Sequence, residues 1–114
     1  MPYKWCPTRE VDDEDDLAGI LRGSEMAFAL FYASWCPFCR SFLPIFERYA
    51  RRRGCDKFLR VSLDDEANPL WEKYGVKVVP TVLVFGTGRV LRRLDGVLGV
   101  GLSEKQLKDL LESV

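Results

Sequence analysis

The chain has 114 residues, 47% of them apolar and 12% aromatic, enough to bury a core without disulfide or metal staples. Its 17 basic residues balance 17 acidic ones, so there is no chain-wide positive field of the kind that holds nucleic acid. Histidine is absent, which excludes Cys-His and Ser-His catalytic pairs and every His-containing zinc site.

The first sixteen residues, MPYKWCPTREVDDEDD, contain no apolar core region after Lys4. Nowhere does an uninterrupted apolar run reach the roughly eighteen residues that a membrane helix needs. Neither a signal peptide nor a membrane span is expected. Tyr3 to Thr8 reads as a short edge strand. Asp12 to Asp16 then bring negative charge to the start of a helix over Asp13 to Arg22, whose stripe is Leu17, Ala18, Ile20 and Leu21 and whose end is Gly23-Ser24. Met26 to Ala33 is apolar throughout instead of alternating, as in a central strand covered on both faces, which implies a parallel or mixed sheet.

Pro37 suits the first position of the next helix, which Phe42, Leu43, Ile45, Phe46, Tyr49 and Ala50 carry at helical spacing to Arg53, with a kink expected at Pro44. Arg48, Arg51, Arg52 and Arg53 answer the dipole at its C-terminus, just before Gly54. With no aromatic interleaving, they do not make a nucleic-acid motif. Phe58 to Leu63 reads as a strand, Ala67 to Tyr74 as a short helix closed by Gly75, and Val82 to Phe85 as a strong strand. Gly86-Thr87-Gly88 turns this strand into an antiparallel hairpin with Arg89 to Leu94, and Ser103 caps a last helix through Leu107, Leu110 and Leu111. No linker or composition shift divides residues 1–114, so one α/β domain is expected.

Chemistry concentrates in Trp35-Cys36-Pro37-Phe38-Cys39-Arg40, at the seam between the apolar strand and the Pro-initiated helix. Two intervening residues let one sulfur lie at a helix's first turn while the other, one turn on, reaches it. The pair alone is also compatible with a metal knuckle, an inert bridge or two core thiols. The spacings of Cys6, Cys36, Cys39 and Cys55 offer no second CxxC for an all-cysteine zinc site.

The order of elements around this pair resembles the thioredoxin family. The marks are Phe31-Tyr32-Ala33-Ser34-Trp35-Cys36-Pro37-Phe38-Cys39-Arg40, Pro44, Tyr74-Gly75-Val76, Val79-Pro80-Thr81, Gly88 and Gly96, spread over Met26 to Gly96. The resemblance implies a central mixed sheet flanked by helices in three layers, and thiol-disulfide exchange on protein disulfides. It makes Cys36 the exposed nucleophile and Cys39 the buried resolving thiol. It also implies a cis Val79-Pro80 bond packed against the CxxC, with Trp35, Pro37, Phe38, Val79, Pro80 and Gly96 forming the substrate surface. No cofactor or metal is implied. An external reductant, a thioredoxin reductase or a low-molecular-weight thiol, would restore the dithiol. The expected partners are disulfide-containing proteins and that electron donor, with no nucleic acid and no membrane, for a cytoplasmic monomer. Beside the partial positive charge of the helix start, a Cys36 thiolate is expected to be favoured.

Two departures qualify the resemblance. Pro37-Phe38 replaces the family's Gly-Pro and is similar to the Pro-aromatic pair of glutaredoxins, so a glutathione-dependent oxidoreductase is the alternative, and the dithiol is expected to be more oxidising than a typical thioredoxin's. Six residues before Cys36, where thioredoxins carry a buried aspartate, stands Leu30, and Arg60 occupies the place of the lysine that pairs with it. A binding module without turnover is a further alternative of a different class. Trp5-Cys6-Pro7 lacks a second cysteine, since position 9 is Arg9, so Cys6 and Cys55 are expected to be unreactive, within reach of each other if the first and third strands pair. Val97 to Gly101 reads either as a partner-recognition loop or as a packed connection into the last helix.

Overall fold

The computed structural model describes residues 8–114. Its elements are β1 (Arg9–Val11), α1 (Glu14–Arg22), β2 (Met26–Tyr32), α2 (Pro37–Arg53), β3 (Phe58–Ser62), α3 (Leu70–Lys73), β4 (Thr81–Gly86), β5 (Arg89–Leu94) and α4 (Glu104–Glu112). They form a five-stranded sheet in the order β1-β3-β2-β4-β5. β1 and β2 each run parallel to β3, whereas β4 is antiparallel to both β2 and β5. The chain therefore folds as a mixed sheet flanked by helices, as the sequence implied.

The unbroken apolar run of β2 follows from its place at the centre of the sheet. With a strand on either side and helices on both faces, six of its seven residues are buried and alternation would serve no purpose. On one face Phe28 stacks on Phe58 with ring centroids 4.7 Å apart, and Phe46 of α2 meets Phe58 edge-on at 5.3 Å. On the other, Tyr74 lies against Phe31 at 5.7 Å and Phe85 at 5.4 Å. An ion pair of 3.2 Å between Lys73 and Glu14 ties α3 to α1 on that side.

Helix ends carry the expected chemistry. The Asp13 carboxylate accepts from the Asp16 amide at 3.0 Å, and Ser103 with Gln106 forms a reciprocal capping box at the start of α4. Two of the arginines near the end of α2 tie it to α4: Arg48 pairs with Glu104 at 2.5 Å, and Arg53 donates to the Leu111 carbonyl at 3.3 Å. The helix continues through Pro44 as one element and stops at Gly54, whose φ of 112° an L side chain would resist.

Three expectations need correction. The first strand among the described residues is Arg9–Val11, with Thr8 outside it; positions 3–7 of the expected Tyr3 to Thr8 strand lie outside the described residues. Two charged residues are tolerated in β1 because it is an edge strand: Val11 alone turns into the core, while Glu10 stands in register with Arg60. The helix expected over Ala67 to Tyr74 shrinks to Leu70–Lys73. Asn68 accepts from the Leu70 amide at 3.0 Å and Pro69 is the N-cap, so the preceding residues form a turn. Cys55, in the 3-10 turn Cys55–Lys57, is disulfide-bonded and not a free thiol; Cys6 lies outside the described residues. No helix among the described residues is long and apolar enough to cross a membrane.

Phe46 is fully buried at the junction of α2 with the sheet, so Phe46→Ala should cost about 3–5 kcal/mol of stability through the cavity it leaves. A shift in urea midpoint at constant slope would register that loss.

Candidate active site around Cys36 and Cys39

β2 ends at Tyr32, one tight turn follows, closed by the Cys36 amide on the Ala33 carbonyl at 3.2 Å, and Cys36 becomes the N-cap of α2 with Pro37 at the first helical position. Pro37 suits that place because its missing amide hydrogen would have no partner there in any case. The Cys36 carbonyl accepts the first helical bond from the Arg40 amide at 3.1 Å. The first-turn amides of Phe38 and Cys39 have no intrahelical acceptor and can meet negative charge that develops at this end of the helix.

The turn before Cys36 is held by Asp64, just beyond β3. Its carboxylate accepts from the Ser34 hydroxyl and the Ser34 amide, each at 2.6 Å, while its carbonyl accepts from Trp35 Nε1 at 3.1 Å. Those two Ser34 bonds, the hydroxyl first, hold the Asp64 carboxyl below the usual carboxylate range. Trp71 makes a matching bond to the Asp65 carbonyl at 3.1 Å, so two indoles are fixed on consecutive carbonyls of one loop.

Cys36 Sγ donates to the Val79 carbonyl at 3.6 Å. The Val79-Pro80 bond is cis, as the resemblance implied. Gly96 approaches this segment so closely that an added Cβ would stand 2.2 Å from the Pro80 oxygen, and its amide donates to the Thr81 hydroxyl at 3.3 Å. A groove of about 190 Å³ opens over Cys36, lined by Trp35, Phe38, Trp71, Lys77, Val78, Val79 and Val97 to Gly99.

Of the residues anticipated from sequence, Trp35, Cys36, Phe38 and Val79 share this groove, Pro37 supports it from the helix start, and Gly96 stands behind Pro80. Cys36 is less open than an exposed nucleophile was expected to be: it is 7% accessible, against 1% for Cys39. The physical reason is its hydrogen bond to Val79 and its position on the groove floor, which leaves the sulfur reachable only from within the groove. Trp71, Lys77, Val78 and Asp64 were missed. Short-range patterning holds no signal for them, because their loops meet the CxxC only through the sheet.

Cys39 lies inside, and burial pushes its thiol from the ordinary 9.0 up to about 12; the Ala33 amide acts against this and neighbouring Cys36 reinforces it. Leu30 is fully buried on β2 between Arg60 and Val82. Arg60 is turned to the carboxylates of Glu10 and Glu47, at 3.5 and 3.6 Å, and to the Thr8 carbonyl at 3.2 Å. A Glu10 carboxylate oxygen also accepts from the Tyr32 hydroxyl, and burial followed by that carboxylate raises the Tyr32 pKa. Among the described residues, no group of histidine, cysteine or carboxylate side chains is arranged to hold a metal ion.

The family model described as Thioredoxin matches residues 10–112. A thioredoxin of Mycoplasmoides gallisepticum is 28% identical over 91% of this chain and 99% of its own length. One from Echinococcus granulosus is 32% identical over 81% and 85%, respectively. Among solved structures, a mutant thioredoxin from Halobacterium salinarum superposes with a TM-score of 0.76 at 30% identity, covering 94% of this chain and 89% of that one.

The raised Cys39 pKa has a definite consequence for stability. The folded thiol keeps a proton that the unfolded chain releases above its ordinary value of 9.0, so its contribution is complete below that pH and lost as pH climbs through about 12. In urea titrations of the reduced protein, wild type should therefore lose stability from about pH 8 to about pH 11 more steeply than Cys39→Ser. Parallel pH curves for the two proteins would contradict the assignment.

Proposed function

This chain belongs to the thioredoxin family and is a thiol-disulfide oxidoreductase, and on that premise we propose that Cys36 is the attacking sulfur and Cys39 the resolving one. The observation that carries this division is the groove: Cys36 lines its floor, whereas Cys39 is sealed one turn along α2 behind it. A disulfide brought into the groove can approach only the first of the two.

The Cys36 thiolate attacks one sulfur of the substrate disulfide, forming a mixed disulfide, and the other substrate sulfur leaves as a thiolate that takes up a proton. Cys39 then gives up its proton and attacks the Cys36 sulfur, which breaks the mixed disulfide and releases the second substrate thiol. Two electrons and two protons pass to the substrate, and the Cys36-Cys39 disulfide is left behind. The groove lining at Trp35, Phe38 and Val79, backed by Pro37, Pro80 and Gly96, forms the surface against which an extended substrate segment lies. A reductase or a low-molecular-weight thiol returns the enzyme to the dithiol. We read residues 1–114 as one such domain, acting as a monomer in the cytoplasm, with no cofactor of its own.

Deprotonation of Cys39 is the step in which this chain differs from the family's pattern. Leu30 supplies no acceptor, and Arg60, held by Glu10 and Glu47, is no base. The proton therefore leaves to water or to the departing sulfur, which makes the resolving step the one that limits turnover.

The direct test is Cys39→Ser, which should abolish multiple-turnover reduction of insulin by dithiothreitol while accumulating covalent adducts on Cys36. Absence of adducts, with wild type giving no acceleration over dithiothreitol alone, would favour a binding module. Leu30→Asp should add an ionisation to the pH dependence of disulfide reduction, because a carboxyl buried beneath the cysteines titrates above its usual range. A profile matching wild type would remove Leu30 from the account.

A further inference from the structure

Of the eight large apolar residues exposed among the described residues, five lie at or next to the opening above Cys36: Trp35, Phe38, Val97 and Leu98 line it, and Val100 follows in the same segment. Leu98 and Val100 are 83% and 68% accessible, a degree of exposure that soluble surfaces seldom concentrate in one place without a partner.

The segment that carries three of the five is built, not loose. Val97 and Gly101 exchange backbone bonds, N to O at 3.3 Å and 2.8 Å, and the Val100 amide closes the turn on the Val97 carbonyl at 2.9 Å. Gly99 and Gly101 take positive φ, 77° and 81°, which the tight reversal requires. Gly101 also lies against the active-site helix, where an added Cβ would meet the Phe38 side chain at 2.9 Å. The base of the turn is thus braced on Phe38, and the apolar side chains of its tip are exposed. The packed-connection reading accounts for the backbone at Gly101 but leaves the exposed side chains of Val97, Leu98 and Val100 without a role.

The groove it walls has the dimensions of a side chain. A cavity of about 150 Å³ lined by apolar residues holds a benzene molecule, and this one measures about 190 Å³. One cation, Lys77, stands on its border, exposed and with no carboxylate partner among the described residues.

We propose that the Val97–Gly101 hairpin is a specificity element. It selects protein disulfides whose reacting cysteine is neighboured by an aromatic or large aliphatic side chain, seated between Leu98 and the two indoles, and by a carboxylate within reach of Lys77. This rests on the redox reading above and names the substrate class for it. The apolar wall makes burial of the neighbouring side chain favourable in the complex that precedes exchange, and Lys77 disfavours segments that bring a second cation.

Three short peptides test it, each carrying one cysteine as a mixed disulfide with 2-thiopyridine, whose release is followed by absorbance. In the first the cysteine is flanked by Phe, with Asp beyond; the second has Gly for Phe, and the third Lys for Asp. Wild type should show a kcat/KM about tenfold higher for the first peptide than for the second, and about threefold higher than for the third. In Val97→Ser/Leu98→Ser the first ratio should fall to about twofold or less, with Leu98→Met retaining it, and in Lys77→Gln the second ratio should approach one. Ratios near one in wild type, or ratios that these substitutions leave intact, overturn the proposal. If wild type accelerates release from none of the three peptides, the redox reading itself fails. Because each readout is a ratio within one protein, loss of folded material does not imitate the result.

Discussion

Two backbone segments pass each other at Gly96 and Pro80 more closely than any side chain would permit, and the arrangement of the site depends on that approach. An added Cβ at position 96 would lie 2.2 Å from a backbone oxygen that cannot rotate away. With the glycine in place, β5 and the chain beyond it close against the Val79-Pro80 segment, and the Val79 carbonyl comes to lie 3.6 Å from Cys36 Sγ. The same closure launches the Val97–Gly101 hairpin from a defined point, so that it arrives at Phe38 and walls the groove. Helix start, proline segment and hairpin belong to three distant stretches of chain, and this contact lets them converge on one sulfur.

Electrostatically the site divides into two halves. Around Cys36, free amides, a carbonyl and the Asp64-Ser34-Trp35 bonds fix the turn while leaving the sulfur open to the groove. Around Cys39 the surroundings are apolar, and burial holds its proton to about pH 12. Leu30 extends that apolar character to the place where the family pattern has an acid. Charge on this face is displaced toward the edge of the sheet, where Arg60 gathers Glu10 and Glu47, and Glu10 in turn accepts from Tyr32. The cluster braces β1, β2, β3 and α2, although the buried Arg60 Nε, 3.6 Å from Glu47, makes no hydrogen bond within it. It offers rigidity under the active site in place of a proton acceptor.

Much of the fold could be read from single stretches of chain. The 3.6-residue period and the terminal Pro and Gly locate α2 from Pro37 to Arg53, and the capping pattern places α4 after Ser103, because helices are governed by contacts a few residues apart. β2 could be identified as central because the run from Met26 to Ala33 lacked a polar face. Prediction failed where a distant partner decided the outcome. β1 lies at Arg9–Val11 because Glu10 and Val11 find Arg60 and Val61 across the sheet. α3 shortens because Asn68 bonds forward to Leu70 and backward to the Asp12 carbonyl.

The active site shows the same division. The sequence by itself determined the spacing of the Cys36 and Cys39 pair, the helix that presents it, the absence of histidine, and the presence of Leu30 where the family pattern has an acid. Each of these is a matter of residue identity and short-range spacing. Only the tertiary structure decided that Cys36 lies on a groove floor and not in the open, that Trp71, Lys77 and Val78 border that groove, and that Val97 to Gly101 folds into a hairpin braced on Phe38. Those outcomes depend on strand order and on the Gly96–Pro80 approach, which bring together residues that no local rule of chain geometry relates.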